Sequence, residues 1–244
     1  MKVAENDLKS EGAIPIIKSA TNLTQLSLAK NFMKSDVGKP IAKLLKHSQC
    51  LQKLSLEFNE LQMQGCKWIA KGISQNNNTL ESLNIKGNMI GDDGVMMLAE
   101  CLKDATILTY LDISLNEIGP AGFQALCEVL PDSSISNLIC NKNFLGDDVM
   151  AYFANILADP NSSGRLRKFD FSSCRLNDAG LIYLINALQN NKSVNSIKLT
   201  DNFFSENVEA ILLETLNKNT TLTEIALSGN RFSHSCLQKI KKIT

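Results

Sequence analysis

Apolar and polar positions recur along this chain with a period near 28 residues. Leu83-Asn-Ile85-Lys-Gly-Asn88-Met-Ile90 is followed by Leu111-Asp-Ile113-Ser-Leu-Asn116-Glu-Ile118, and Leu26, Leu54, Leu138, Phe169, Ile197 and Ile225 open comparable segments. The alternation of apolar and polar residues at each start predicts a short strand with one buried face. Three residues past the second apolar position stands an Asn. The series reads Asn6, Asn31, Asn59, Asn88, Asn116, Asn143, Cys174, Asn202 and Asn230, at spacings of 25 to 31 residues. Six residues further on comes a small or β-branched residue such as Gly65, Gly94, Gly122, Gly180, Val149 or Val208. Apolar residues then follow at helical spacing, as in Val95, Leu98 and Leu102 or Leu181, Leu184 and Leu188. Acidic residues precede these runs (Asp92-Asp93, Asp147-Asp148, Asp178) and suit a helix N-terminus. Each period is therefore a strand, a turn and a helix.

One strand and one helix cannot bury their apolar faces alone, whereas stacked copies share a continuous core. Repetition over nearly the whole chain predicts an elongated solenoid. The pattern resembles the leucine-rich repeat family, specifically its ribonuclease-inhibitor type. That resemblance implies an α/β fold: a right-handed horseshoe with a parallel, concave β-sheet inside and convex α-helices outside. Residues 1–244 are expected to form a single leucine-rich-repeat domain, with a partial first repeat at 1–20 and about eight further repeats over 21–244.

The Asn position needs both a donor and an acceptor to satisfy backbone groups in the turns between repeats. Asn31, Asn59, Asn88, Asn116, Asn143, Asn202 and Asn230 are thus expected to form a structural ladder. Cys174 interrupts it, in a position where the ribonuclease-inhibitor-type pattern tolerates Cys.

Composition narrows the functional classes. Many of the 34 Leu are core positions of the repeat, and eight of the 25 Asn fill its Asn position. With 25 basic and 25 acidic residues the net charge is zero, which argues against nucleic-acid binding through phosphates and against a polybasic membrane binder. No apolar run approaches a membrane span, so no membrane insertion is expected. Seven Cys without a CxxC pair read as reduced thiols, mostly small buried hydrophobes, in a cytoplasmic setting. His47 and His234 fall at opposite ends of the solenoid, and no zinc-ligand cluster, calcium loop or P-loop occurs. The expected catalytic residues, metals and cofactors are none. Trp68, beside the core position Ile69, is read as partly buried.

Function then falls to the surface. The outward sheet residues predict a track of mixed polarity, with Tyr110, Asp112 and Ile139 near its middle and Lys168, Asp170 and Lys198 beside them. Phe58 and Leu115 add apolar area in the turns of one rim. The third residue row, Ala29, Glu57, Lys86, Ser114, Asn141, Ser172, Thr200 and Ser228, is also expected to face outward. An aromatic next to an exposed aliphatic suits an interface centre. The longest spacing places a loop at Asp159–Gly164. At the ends, Val3, Leu8, Ile14, Ile16 and Ile17 are expected to cover the next repeat incompletely. The last helix is expected to run about one and a half turns, with Lys239, Lys241 and Lys242 on a polar face. These ends suggest part of a longer protein, or an uncapped N-terminal repeat that makes end-to-end contact with a partner.

The expected function is a noncatalytic protein–protein interaction scaffold working through the concave face and rim loops. A cytoskeletal or ciliary assembly is the context favoured by analogy with similar repeats. Two alternatives rest on the same resemblance: a regulator of a small GTPase like the Ran-type activating proteins, and the ligand-sensing repeats of an innate-immune-type receptor.

Overall fold

The computed structural model describes residues 1–75, 78–159 and 165–243. Eight three-residue strands form one parallel sheet in strict sequence order. They are β1 (Gln25–Ser27), β2 (Lys53–Ser55), β3 (Ser82–Asn84), β4 (Tyr110–Asp112), β5 (Asn137–Ile139), β6 (Lys168–Asp170), β7 (Ser196–Lys198) and β8 (Glu224–Ala226). The helices are α1 (Lys9–Ser19), α2 (Gly38–His47), α3 (Gln62–Ser74), α4 (Gly91–Leu102), α5 (Pro120–Val129), α6 (Asp148–Ala158), α7 (Asp178–Leu188), α8 (Glu209–Lys218) and α9 (His234–Ile243). Each helix packs against the next. Packed helices need about 8–10 Å between axes, while paired strands sit about 4.8 Å apart. The stack therefore curves, with the sheet on its inner, concave side.

The register pairs equivalent residues, so that Leu26, Leu54, Leu83, Leu111, Leu138, Phe169, Ile197 and Ile225 lie side by side. They point into one continuous core with the helix residues Val95, Leu98, Phe123, Met150 and Leu181. Between the fifth and sixth strands the layer is aromatic. Phe123, Phe153, Phe169 and Phe171 pack with ring centroids 4.9–5.8 Å apart.

The Asn ladder forms in the turns after the strands. Asn59 is typical: its Oδ1 accepts from the Asn31 and Met33 amides, both at 3.0 Å, and its Nδ2 donates to Leu28 O and Leu56 O. Asn116 accepts from the Asn88 amide at 2.8 Å and donates to Ile85 O and Ser114 O. At Cys174 the thiol donates to Cys140 O at 3.2 Å, so this rung is retained only by a weaker group.

A second ladder was not anticipated from the sequence. Asp92 accepts the Gly119 amide at 2.6 Å, Asp147 the Asn177 amide at 2.7 Å, and Asp178 the Ser205 amide at 2.7 Å. These acids tie the starts of α4, α6 and α7 to the turn of the following repeat, beyond any interaction with their own helix dipole. The small residues of the period make room for them. A Cβ on Gly122 would lie 2.5 Å from Asp92 Oδ1, and one on Gly180 2.4 Å from Asp147 Oδ1.

The ends depart from expectation in one respect. Helix α9 spans 10 residues, close to three turns rather than one and a half. Ser233 accepts the Cys236 amide at its start, and Cys236 and Ile240 reach the core. At the other end, residues 3 and 5 donate backbone hydrogen bonds to Ser27 O and Ala29 O, and Ala13 and Ile17 of α1 are buried against the next repeat. Of the expected loop at Asp159–Gly164, residues 160–164 lie outside the described residues. No helix among the described residues is long and apolar enough to cross a membrane.

Candidate functional site

The strand register assembles the sheet face into rows. Tyr110 stands level with Ser82, Asn137 and Lys168. Asp112 stands level with Asn84, Ile139 and Asp170, and Asp170 with Lys198. The structure thus brings six of the seven sequence-predicted binding residues onto four adjacent strands. Ile139 lies between the carboxylates of Asp112 and Asp170, and Lys168 and Lys198 flank it on the far side. Lys168 and Lys198 are exposed, and Tyr110, Ile139 and Asp170 are half-buried. Phe58 stands apart, in the turn after β2. It is 40% exposed, with the Lys86 and Lys30 ammonium groups 5.4 and 6.0 Å from its ring centre.

Two expectations of exposure fail. Asp112 is only 7% exposed, and in the third row Ala29 and Ser114 are buried. A side chain as short as Asp in the middle of a parallel sheet is walled in by side chains of similar reach on either strand, here Asn84 and Ile139 around Asp112. Burial is the main reason the Asp112 carboxyl is pushed above its ordinary range, opposed by hydrogen bonding from Ser114 and by Lys86. The Ser114 amide donates to Asp112 Oδ1 at 3.0 Å, and the Ser172 amide to Asp170 Oδ1 at 2.9 Å. These bonds fix both acids in position. The Tyr110 phenol is pushed up chiefly by burial, with Asp112, Glu57 and Asp170 adding to the effect. A half-buried aromatic and an aliphatic framed by two oriented carboxylates can seat an apolar side chain and accept hydrogen bonds from donors around it.

Nucleophilic chemistry finds little support. Six of the seven Cys are buried, and Cys50 is intermediate. Burial pushes the Cys66 and Cys174 thiols up to about 12. Arg165 donates to Ser133 O at 2.9 Å, and Arg167 to Ser193 O. Both guanidinium groups therefore bond to backbone within the solenoid. Trp68 on α3 is half-buried, with Lys39 and Lys71 at 5.1 and 5.3 Å from its ring.

Comparison with known proteins agrees with this architecture. A family model described as Leucine Rich repeat matches residues 76–99, 105–127, 166–184 and 218–239. The human NACHT, LRR and PYD domains-containing protein 5 is 26% identical over 229 residues, which are 92% of this chain and 19% of that protein. Its human paralogue 14 is 27% identical over 222 residues, 89% of this chain and 20% of that one. RAN GTPase-activating protein 2 of Arabidopsis thaliana is 32% identical over 112 residues, 43% of this chain and 21% of its own. The chain spans about a fifth of the length of the curated relatives it matches. Among solved structures, the crystal structure of the Rad7 and Elc1 complex in yeast aligns with a TM-score of 0.59 at 16% identity. That alignment covers 96% of this chain and 64% of the other, and shows a shared fold. The repeat period, the single parallel sheet with its Asn ladder, and these matches together make the chain a leucine-rich repeat protein.

Proposed function

We propose that this chain is a noncatalytic protein-interaction platform whose concave sheet face and rim loops hold a protein partner. The observation that carries the reading is the Tyr110–Ile139 centre, framed by Asp112 and Asp170 and bordered by Lys168 and Lys198. Its aromatic and aliphatic seat suits an interface core, and the carboxylates and lysines around it suit a polar rim. Native co-purification followed by cross-link mapping tests it. Cross-links are expected at Lys168 and Lys198, and Tyr110→Ala and Ile139→Ala should each release the partner. A partner retained by both variants would remove this centre. A cytoplasmic, cytoskeletal or ciliary assembly is the setting proposed, and an end-to-end contact at the N-terminal edge is a further proposed use of the solenoid.

A second reading, regulation of a small GTPase, is favoured by the similarity to the Arabidopsis RAN GTPase-activating protein. Unchanged GTP hydrolysis by small GTPases in the presence of the protein would dismiss it. A ligand-sensing role, as the repeat segment of a larger receptor, is suggested by the similarity to the NACHT-containing proteins.

A further inference from the structure

The rim formed by the turns after the strands carries five of the nine large exposed hydrophobic side chains among the described residues: Phe32, Phe58, Met89, Phe144 and Phe203. Four of these five occupy one position, immediately after the ladder Asn. After Phe32, from the third repeat to the ninth counting the partial first one, that position reads Glu60, Met89, Glu117, then Phe144, then Arg175, Phe203, Arg231. The row is held in register by backbone bonds between successive turns, from Phe58 N to Lys86 O, Gly87 N to Ser114 O, Leu115 N to Asn141 O, Lys142 N to Ser172 O and Ser173 N to Thr200 O.

The order of this row is complementary to its own reverse. With Phe144 at the centre, reversal sets Glu117 against Arg175, Met89 against Phe203 and Glu60 against Arg231. Acids fill the first half and bases the second, separated by apolar residues at every other place. Glu60, Glu117, Arg175 and Arg231 take no part in the ion pairs Lys30–Glu5 and Lys218–Glu214, and among the described residues they are not paired with each other. The Arg175 guanidinium stacks on the Phe144 ring at 4.1 Å, which holds it at the rim.

We propose that this rim binds a second copy of the chain, antiparallel, about a two-fold axis that runs through Phe144 from the concave to the convex side. Such an axis maps a curved solenoid onto itself in reverse, so curvature does not break the register. Phe144 meets Phe144 of the second copy, and each of the three flanking pairs forms twice, as an isologous contact requires. Toward the convex side of the row the chain is small at Gly91, Gly119 and Gly146, which lets the two rims approach, and the Asp92 and Asp147 carboxylates beyond them are held by the Gly119 and Asn177 amides. Lys142 meets its own copy near the axis, on a flexible stem that can swing aside. The strip spans six strand spacings, about 29 Å. A strip this long and only a few residues wide falls below the roughly 800 Å² per partner of a standard stable interface. The dimer is therefore weak and concentration-dependent. It leaves the concave face open and does not rest on the function proposed above.

Sedimentation equilibrium of the chain, from about 1 µM to about 1 mM, tests the proposal. Dimer formation at the upper concentrations, weakened by salt, is expected. Glu117→Arg alone and Arg175→Glu alone should each weaken association at least about tenfold, because each places like charges opposite each other twice. An equimolar mixture of the two variants should recover it, since in the mixed dimer Arg at 117 meets Glu at 175 and Arg175 meets Glu117. Glu60→Arg and Arg231→Glu form a second such pair should either first variant fail to give the native circular dichroism spectrum. Lys67→Glu, on the exposed face of α3, is the control and should leave association unchanged. A monomer at every concentration overturns the proposal, and so does a mixture that associates no better than either variant alone.

Discussion

Replacing Asn116 by Ala should remove the central rung of the ladder and destabilise the repeats on both sides. Asn116 is fully buried. Its Oδ1 accepts the Asn88 amide at 2.8 Å, and its Nδ2 donates to Ile85 O at 3.0 Å and Ser114 O at 3.1 Å. The two carbonyls survive truncation with other donors, since Ile85 O also accepts from Asn88 Nδ2 and Ser114 O from the Gly87 amide. The Asn88 amide loses the acceptor that Asn116 supplies. One orphaned buried donor costs about 1–3 kcal/mol, and the small cavity adds about 0.5–1 kcal/mol. The expected loss is therefore about 1.5–4 kcal/mol. Urea unfolding followed by circular dichroism gives the total. Amide exchange at Asn88 gives the local effect, which matters because a repeat array need not unfold as one unit. Asn137→Ala, on the half-exposed sheet face, is the control and should cost less than about 0.5 kcal/mol. An Asn116→Ala midpoint matching that control, with Asn88 exchange unchanged, would refute the ladder as a source of stability.

Four further outcomes follow from the same geometry. Cys174→Asn should stabilise the protein by about 0.5–1.5 kcal/mol, seen as a higher urea midpoint, because an amide replaces a thiol in the interrupted rung. Gly122→Ala should cost about 1–3 kcal/mol by the same measurement, since the new methyl falls 2.8 Å from the Asp92 Cα and overpacks the second ladder. Asp112 is held above its ordinary pKa by burial, so the stability of its protonated form is fully present below about pH 3.9 and is lost as pH rises through the folded value. Asp112→Asn should flatten this part of the pH profile in urea titrations and raise stability at pH 7. Maleimide labelling of the native protein at pH 7.5, read by mass spectrometry, should modify Cys50 first. Cys66 and Cys174, with thiols near pH 12, should label only on unfolding.

Much of the fold was legible in the sequence because each requirement is local and repeated. Leu at alternate strand positions, Asn after the strand and glycine at the helix start state the same backbone demand in successive turns. The acids before the helices were visible too, but their role was not. Asp92 looks like a helix-dipole partner in sequence, and only the stacked structure shows it accepting the Gly119 amide of the next repeat. Exposure was the weakest inference. The alternation correctly separated core from sheet face, yet it could not tell that Asp112 and Ser114 are buried while Lys168 and Lys198 are not. That difference depends on how far each side chain reaches past its neighbours in adjacent strands.

By itself, then, the sequence determined the repeating unit, its period and which face of each element is apolar, since the unit's own backbone and core impose those patterns. The tertiary structure alone decided which distant residues share a surface. Tyr110 and Lys168 stand 58 positions apart in the chain, yet they lie two strands apart on the sheet. Stacking converts a separation of one period into about 5 Å of space, and that conversion creates both the concave centre and the charge-ordered rim.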